Sequence, residues 1–136
     1  MPTAGSPGRL IPNRIADGPT QMAIDALLLA QATEAPVLRF YRWEGPWLSL
    51  GRHQRHWPQH WHQLTQEGCL RMVRRPSGGQ AVLHAGGLTY ALSWPSAPRR
   101  RKQAYREACQ WLIDGFSQLG QPLQFGDDPA GVNGSN

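Results

Sequence analysis

The amino-acid sequence predicts an α+β fold in which a mixed β-sheet is packed against helices. Several strand-like segments follow one another directly, whereas a doubly wound domain alternates strands with helices. Two segments with helical periodicity lie on either side of this strand-rich region, at about 20–34 and 100–119. With 40% hydrophobic and 17% charged residues, the 136-residue chain has the composition of a folded domain rather than of a disordered segment.

The two ends of the chain are expected to be irregular. Residues 1–19 contain four Pro and three Gly, which predicts an irregular arm, and residues 127–136 consist mainly of Gly, Asp, Pro and Asn, which predicts an irregular tail. A helix is expected from Thr20, a suitable N-cap, to about Glu34, just before Pro36. The apolar stripe of this helix is wide, which predicts that the helix is well buried.

The middle of the chain predicts five short strands and one further helix. Val37–Trp43 alternates large apolar with polar residues, and Trp47–Leu50 follows after a Glu-Gly-Pro turn, so the two are expected to form a hairpin. The further helix starts at Pro58, which suits a first helical turn, and runs to about Glu67, where Gly68 ends it. The remaining strands are expected at 69–73, 81–84 and 88–92.

The last regular element is a long helix at about Arg100–Leu119, with apolar residues on one face and Gly120 at its end. Four cations, Arg99–Lys102, stand at its start, where they oppose the helix dipole. This unfavourable placement of positive charge is consistent with docking of an acidic protein or of nucleic acid at the start of the helix. It is equally consistent with a solvated loop.

Charge and hydropathy restrict the partners of the chain. The formal net charge is +5, and 13 of the 14 basic residues are Arg, which suits either an acidic protein or nucleic acid. No zinc-finger, homeodomain or RNA-recognition signature accompanies the charge, so nucleic acid is the less favoured partner. No apolar run has the length of a signal peptide or of a membrane span, which predicts a cytoplasmic protein without membrane contact.

Two other sets of side chains are expected to be structural. Four histidines fall within ten residues: His53, His56, His60 and His62. Pro58 interrupts the set and no acidic or thiol ligand stands close by, so we expect packing and no metal site. Cys69 and Cys109 are expected to be buried, reduced thiols.

The segment with the most chemical content is the loop around Ser77, Gly78 and Gly79. Two glycines in succession let backbone N–H groups approach a ligand closely and form a concave anion site. Arg75 beside them offers a planar, two-pronged donor for a phosphate or a carboxylate. Arg74 is expected to point to the opposite face if the strand continues through it. On these grounds alone, the turn is either a hairpin connection or a binding loop.

Residues 74–84 read Arg-Arg-x-Ser-Gly-Gly-x-Ala-Val-x-His. This segment resembles the signature of the biotin/lipoate protein ligase family, in its lipoate-protein ligase A and octanoyltransferase branches. Further segments resemble, in the same order, the opening helix, the first hairpin with its polar loop, and the strand after the signature: Met22–Asp25, 39–43 with 48–54, and 88–91. The resemblance extends over about residues 20–126, the N-terminal part of the family's catalytic domain.

The resemblance implies a fold related to class II aminoacyl-tRNA synthetases and biotin ligases. It also implies an enzyme that attaches lipoyl or octanoyl groups to a lysine of carrier proteins, namely 2-oxoacid dehydrogenase E2 subunits and the glycine cleavage H protein. Ligases use lipoate or octanoate with ATP and Mg²⁺, whereas transferases take the acyl group from a carrier and hold it on a cysteine. The residues expected by position to line the acyl or adenylate pocket are Arg75, Ser77, Gly78, Gly79 and His84. Arg52 and Gln54 are expected at its rim.

Two departures from the family pattern bear on activity. The acidic residue that often follows the signature histidine is here Ala85. The family's cysteine and lysine belong to a segment beyond residue 126 that has no counterpart in these 136 residues. We therefore expect a truncated domain with impaired acyl transfer and no catalytic residue of its own. The alternative is a non-catalytic module that binds an acyl chain, an adenylate or a carrier domain.

Overall fold

The computed structural model describes residues 7–126, so the predicted tail at 127–136 and the first six residues of the predicted arm lie outside the described residues. The chain divides into two compact units, Met1–Ser96 and Ala97–Asn136. The elements in chain order are β1 (Arg9–Ala16), α1 (Gly18–Gln31), β2 (Val37–Trp43), β3 (Trp47–Leu50), α2 (Gln59–Gln66), β4 (Met72–Arg74), β5 (Val82–His84), β6 (Thr89–Ser93) and α3 (Arg101–Gln118).

The first unit contains two three-stranded mixed sheets with the strand orders β1-β2-β6 and β4-β3-β5. In each sheet the central strand has one parallel and one antiparallel neighbour. The predicted hairpin of β2 with β3 is wrong, because these consecutive strands belong to different sheets. The short turn at Glu44 and Gly45 passes the chain from one sheet to the other.

Strand β1 lies where the sequence predicted an irregular arm, so that prediction is wrong for residues 9–16. β1 runs parallel to β2, with Arg9 opposite Val37, and its register shifts at Pro12. Proline has no N–H to donate and is tolerated on edge strands and at bulges. Since β1 is the edge of its sheet, Pro12 interrupts the ladder locally without preventing the strand.

Helix α1 begins earlier than predicted because Asp17, rather than Thr20, is its N-cap. A side-chain oxygen of Asp17 accepts a hydrogen bond from the Thr20 backbone N–H at 2.8 Å, and hydrogen bonding to Thr20 lowers the pKa of Asp17. The helix ends at Gln31. The expectation of a well-buried helix is wrong, since four of its residues are buried: Gly18, Gln21, Met22 and Leu28.

The core of the first unit is an aromatic cluster where α1 meets both sheets. It consists of Met22, Tyr41, Trp43 and Trp47, with Val73 and Ala91 packed against it. Burying large aromatic rings provides much of the stabilisation in so small a domain. The cluster therefore fixes the positions of β2 and β3, the two central strands.

Strand β4 begins at Met72 instead of Cys69, because the residues before it close the end of α2. The backbone N–H groups of Cys69 and Leu70 both donate to the carbonyl oxygen of Leu64, at 2.9 and 3.1 Å. Cys69 is exposed, whereas Cys109 is partly buried. The prediction that both are buried is therefore wrong for Cys69.

The second unit contains α3, which matches the predicted helix to within one residue at each end. Gly120 ends it with a φ of 75°, as predicted from the sequence. No residue of α3 is buried, although Tyr105 and Arg106 contact the Phe125 ring. Among the described residues there is no helix with the length and hydropathy needed to cross a membrane.

Candidate functional site

A cavity of about 310 Å³ lies within the first unit, between α1, the strands β2 and β6, and the loop after β4. Apolar surface predominates in its walls, although seven of the fifteen lining residues have polar or charged side chains. The lining residues are Met22, Asp25, Leu29, Tyr41, Trp43, Ser49, Arg75, Pro76, Ser77, His84, Thr89, Tyr90, Ala91, Leu92 and Ser93.

A buried ion pair closes one side of this cavity. Arg39 and Asp25 form a salt bridge at 2.8 Å with both side chains almost inaccessible, and Arg39 also donates to the backbone and side-chain oxygens of Gln21. The hydroxyl of Tyr41 donates to the second oxygen of Asp25 at 2.8 Å. Burial raises the pKa of Asp25 and of Tyr41 above their usual values. Each oxygen of the Asp25 carboxylate thus accepts a hydrogen bond from a side chain of the protein.

Three polar side chains meet at another part of the cavity wall. The Ser49 hydroxyl lies 2.8 Å from His84 Nε2 and 3.1 Å from Arg75 Nη1. The imidazole of His84 stacks on the indole of Trp43, with ring centroids 4.1 Å apart and planes inclined by 17°. Burial lowers the pKa of His84, and the positive charge of Arg75 lowers it further. Both effects favour the neutral form of His84, and two neighbours, Ser49 and Trp43, fix the orientation of its ring.

Arg75 holds the loop that the sequence singled out. Its Nη1 donates to the backbone oxygen of Ser49 at 3.0 Å, and its Nη2 donates to the carbonyl oxygens of Gly78 and Gln80, each at 2.7 Å. Burial lowers the pKa of Arg75, which remains a cation because arginine is not deprotonated in proteins. Arg75 lines the cavity and at the same time fixes the path of the Ser-Gly-Gly loop.

Gly51 and Gly79 bring two loops into direct contact. A Cβ on Gly51 would overlap the carbonyl oxygen of Gly79, so the approach requires a residue without a side chain. The backbone N–H of Arg52 also donates to the carbonyl oxygen of Ser77, at 2.9 Å. Gly79 itself has a φ of 91°, in the region that favours glycine. The two loops are therefore joined beside Ser77, which lines the cavity.

The structure brings together three of the predicted site residues and separates the others. Arg75, Ser77 and His84 line the cavity, whereas Gly78 and Gly79 lie in the adjoining loop outside the lining. Arg52 and Gln54 also lie outside the lining. Their segment is held next to the Ser-Gly-Gly loop by backbone contacts.

Arg74 and Gln54 hold the loop after β3. The Nη1 of Arg74 donates to the carbonyl oxygens of Gly51 and Gln54, each at 2.7 Å, while the Gln54 side chain accepts from the N–H of Gly51 at 3.3 Å. Arg74 does not line the cavity although its neighbour Arg75 does, as expected for alternate positions at a strand end. Gln54 thus has a structural role in its own loop.

Sequence reasoning missed the polar residues that belong to regular elements. Asp25 appeared only as part of a helix resembling the family, and Ser49 appeared as one position of an apolar strand. A polar residue within an otherwise apolar buried segment is the available signal, because such a group needs a partner when it is buried. That signal also applies to Arg39 in β2.

The histidine-rich segment forms no cluster of metal ligands. Across residues 7–126, no group of three or more His, Cys, Asp or Glu side chains is placed to hold a metal ion. Trp57 packs on His62 with ring centroids 5.4 Å apart, and Trp61 meets His60 edge to face. These aromatic contacts occur at the start of α2.

Comparison with protein families identifies the chain. The sequence model of the lipoyl protein ligase A/B catalytic domain matches residues 17–133. The chain belongs to this family. The resemblance drawn from the signature loop is thereby confirmed, and the family match begins at Asp17, the N-cap of α1.

Curated relatives of this lipoyl ligase A/B family chain include octanoyltransferases. Octanoyltransferase LipM of Lysinibacillus sphaericus is 39% identical over 111 residues, which are 76% of this chain and 40% of that protein. Octanoyltransferase LipM of Staphylococcus aureus is 38% identical over 111 residues, again 76% and 40% of the two chains. The chain thus spans about two fifths of the length of these relatives.

Solved structures of lipoate ligases share the fold of this family member. A bi-partite lipoate protein ligase from Thermoplasma acidophilum, studied with its E2 lipoyl domain, aligns with a TM-score of 0.69 and 24% identity, over 88% of this chain and 48% of that chain. A lipoate-protein ligase A bound with ATP aligns with a TM-score of 0.67 and 24% identity, over 90% and 53%. The α+β, ligase-like fold predicted from the sequence is therefore confirmed.

Proposed function

We propose that this chain supplies the acyl-binding part of an octanoyltransferase, and that the whole protein transfers octanoyl groups to a lysine of lipoyl carrier domains. The carriers would be E2 subunits of 2-oxoacid dehydrogenases or the glycine cleavage H protein. The observation that carries the proposal is the cavity of about 310 Å³ with mostly apolar walls and three polar side chains at one part of its wall.

The cavity suits a medium-length acyl chain. Its volume lies at the lower end of the range of small-molecule sites, about 300–1,000 Å³. Met22, Leu29 and Leu92 offer aliphatic surface to the methylene groups, and Tyr90 offers an aromatic face. Each buried methylene contributes about 0.8 kcal/mol, so binding would depend strongly on chain length.

The polar end of the cavity suits the carbonyl end of the acyl group. Arg75 is a fixed cation there, and the neutral His84 can form one more hydrogen bond through its second ring nitrogen. Ser77 lies in the same wall, at the start of the Ser-Gly-Gly loop. In the proposed reaction these residues bind and orient the acyl group, and the covalent step belongs to the whole protein.

The described residues favour an acyl carrier over ATP as the source of the acyl group. Mg²⁺ is usually bound through one or two carboxylates together with the phosphates of a nucleotide. Asp25 is the carboxylate that lines the cavity, and it is engaged by Arg39 and Tyr41. The Nη atoms of Arg75 are likewise occupied by the loop. The cavity lining thus offers a magnesium nucleotide no carboxylate that lacks a protein partner, which supports an acyl carrier as the donor.

Binding of short fatty acids to the chain tests the acyl site. We expect octanoate to bind about two hundredfold more tightly than butyrate, because its four extra methylene groups are each worth about 0.8 kcal/mol. Leu29 and Leu27 are both 54% exposed on α1, but Leu29 lines the cavity and Leu27 does not. Leu29→Asn should weaken octanoate binding in a calorimetric titration, and Leu27→Asn should not.

The same titrations can contradict the proposal. Equal affinities for octanoate and butyrate would show that the cavity does not hold an acyl chain. Equal losses from Leu29→Asn and Leu27→Asn would show that binding occurs elsewhere on the surface. Mass spectrometry of an apo carrier domain, incubated with the chain and an octanoylated donor, separates an acyl-binding module from a transferase.

A further inference from the structure

Ser49 is a buried hydroxyl in the middle of an apolar strand. Its exposed fraction is 0%, and β3 is the central strand of its sheet, with β4 on one side and β5 on the other. The hydroxyl has two partners, Arg75 Nη1 at 3.1 Å and His84 Nε2 at 2.8 Å. A buried hydroxyl without a hydrogen bond is costly, so these two contacts define its role.

Counting donors and acceptors assigns the direction of each bond. The guanidinium of Arg75 can only donate, so the Ser49 oxygen accepts from it. The Ser49 proton then requires an acceptor, and within the described residues His84 Nε2 is the one placed to receive it. If Nε2 carried a proton instead, both neighbours would donate to Ser49, and its own proton would be buried without a partner, at a cost of about 1–3 kcal/mol.

The geometry points to Ser49 as a positioning residue that selects the tautomer of His84 with hydrogen on Nδ1. A neutral imidazole that accepts at Nε2 must carry its proton at Nδ1. Trp43 holds the ring plane by stacking, so the direction of the Nδ1–H bond is set as well. This inference rests on the proposed function for its ligand, because Nδ1–H would donate to the carbonyl oxygen of the bound octanoyl thioester.

The protein thereby presents a hydrogen-bond donor, the Nδ1–H group of His84, instead of a proton-accepting base. Arg75 lies on the Ser49 side of the ring and binds the same hydroxyl, so a second cation on His84 would be disfavoured there. Asp25, the carboxylate in the cavity lining, is paired with Arg39 and Tyr41 and does not compete for the imidazole. The imidazole of His84 would therefore be a neutral hydrogen-bond donor to the acyl carbonyl.

Long-range ¹H–¹⁵N correlation spectra of the ¹⁵N-labelled chain read the tautomer directly. We expect the His84 ring, assigned by its absence in His84→Gln, to show a protonated Nδ1 and an unprotonated Nε2 near neutral pH. Ser49→Ala should remove this preference. Ser93→Ala is the matched control, because Ser93 is also a buried serine of the cavity lining, whereas the serine that is hydrogen-bonded to His84 is Ser49. A protonated Nε2 in the unmodified chain, or an unchanged tautomer in Ser49→Ala, overturns the inference.

Ligand binding tests the consequence of the tautomer. S-octanoyl-N-acetylcysteamine should bind more tightly than the thioether that lacks the carbonyl, by about two- to tenfold, the usual worth of one hydrogen bond. Ser49→Ala should abolish this difference between the two compounds. If neither compound binds, the proposed function fails while the tautomer measurement still stands. If both bind equally to the unmodified chain, the role assigned to Nδ1–H is wrong.

Discussion

At the scale of single residues, Arg75 shows how a correct position can have an unexpected partner. The sequence predicted a two-pronged donor for a phosphate or a carboxylate. The structure uses the guanidinium to hold the carbonyl oxygens of Gly78 and Gln80 and the backbone oxygen of Ser49. The residue type and the loop were predictable from the signature, whereas the acceptors depend on how β3 and β4 pair, which local sequence does not specify.

Replacing Arg75 separates its role from general charge. Arg75→Ala removes the hydrogen bonds that shape the loop and a cation of the cavity wall, so we expect octanoate affinity to fall by about ten- to a hundredfold. Arg74→Ala removes the same charge outside the cavity lining and should change octanoate affinity much less. Equal losses in the two titrations would mean that the site responds to net charge and not to shape.

His84 should give the stability of the chain a specific pH dependence. Burial and then Arg75 lower the pKa of His84 below 6.5, so the unfolded chain takes up this proton more readily than the folded chain. The contribution of neutral His84 to the free energy of unfolding is therefore complete above pH 6.5. This contribution is lost as the pH falls through the pKa that His84 has in the folded chain. Urea denaturation at several pH values should show a smaller acid loss in His84→Gln; parallel curves for the two chains would contradict this.

At the scale of elements, the sequence predicted which segments are regular better than it predicted how they pair. The bounds of β2 and β3 match the prediction, and α3 differs by one residue at each end. The prediction of a hairpin was wrong because the turn alone does not decide which strands pair. Pairing also depends on which strand faces are buried against segments that are distant in the sequence. Strand β1 was missed because proline usually argues against a strand, although it is tolerated on an edge strand such as β1, which contains Pro12.

Gly51 and Gly78 form a matched pair for testing the contact between the loops. Gly51→Ala should lower the free energy of unfolding by about 1–3 kcal/mol, the usual cost of overpacking, because its Cβ would overlap Gly79. Gly78→Ala has open space around the new Cβ and should be nearly neutral. Thermal denaturation of both variants checks this, and a tolerated Gly51→Ala would show that the loops are not in contact.

The buried ion pair joins α1 to β2 and should be sensitive to the loss of one partner. Asp25→Asn leaves the charge of Arg39 buried without a counter-charge, for which about 3–5 kcal/mol is typical. Tyr41→Phe removes one hydrogen bond to the same carboxylate and should cost about 1.5–3 kcal/mol, the usual worth of a hydrogen bond to a charged group. Chemical denaturation ranks the two variants, and a larger effect from Tyr41→Phe would show that the hydrogen bond from Tyr41, not the ion pair, contributes more to joining these elements.

At the scale of the whole molecule, the chain has the fold of lipoate ligases while spanning about two fifths of the length of its octanoyltransferase relatives. Family and fold class were predictable because the signature and the surrounding segments occur in the family's order. The cavity was less predictable, because its lining combines a helix, several strands and a loop that meet only in the folded chain. Asp25 and Ser49 are examples of residues that only this assembly reveals.

The surface of the first unit should promote self-association. Leu83 and Leu88 are 60% and 58% exposed near the edge strand β5, and exposed apolar patches of this kind favour association. We expect the sedimentation coefficient to rise with concentration, and Leu83→Lys with Leu88→Lys to suppress the rise. Gln63→Lys with Gln66→Lys adds the same charge on the exposed α2 surface. If that control suppresses association equally, net charge rather than the apolar surface is responsible.

The contact between Gly51 and Gly79 also has a consequence for motion. Close packing of the two backbones, the hydrogen bond from Arg52 to Ser77 and the bonds of Arg74 within the first loop leave neither loop free to swing alone. We therefore expect the two loops to open together rather than separately. Hydrogen exchange of their amide groups, corrected for intrinsic exchange rates, should then give similar free energies of opening, although more than twenty residues separate the two loops along the chain.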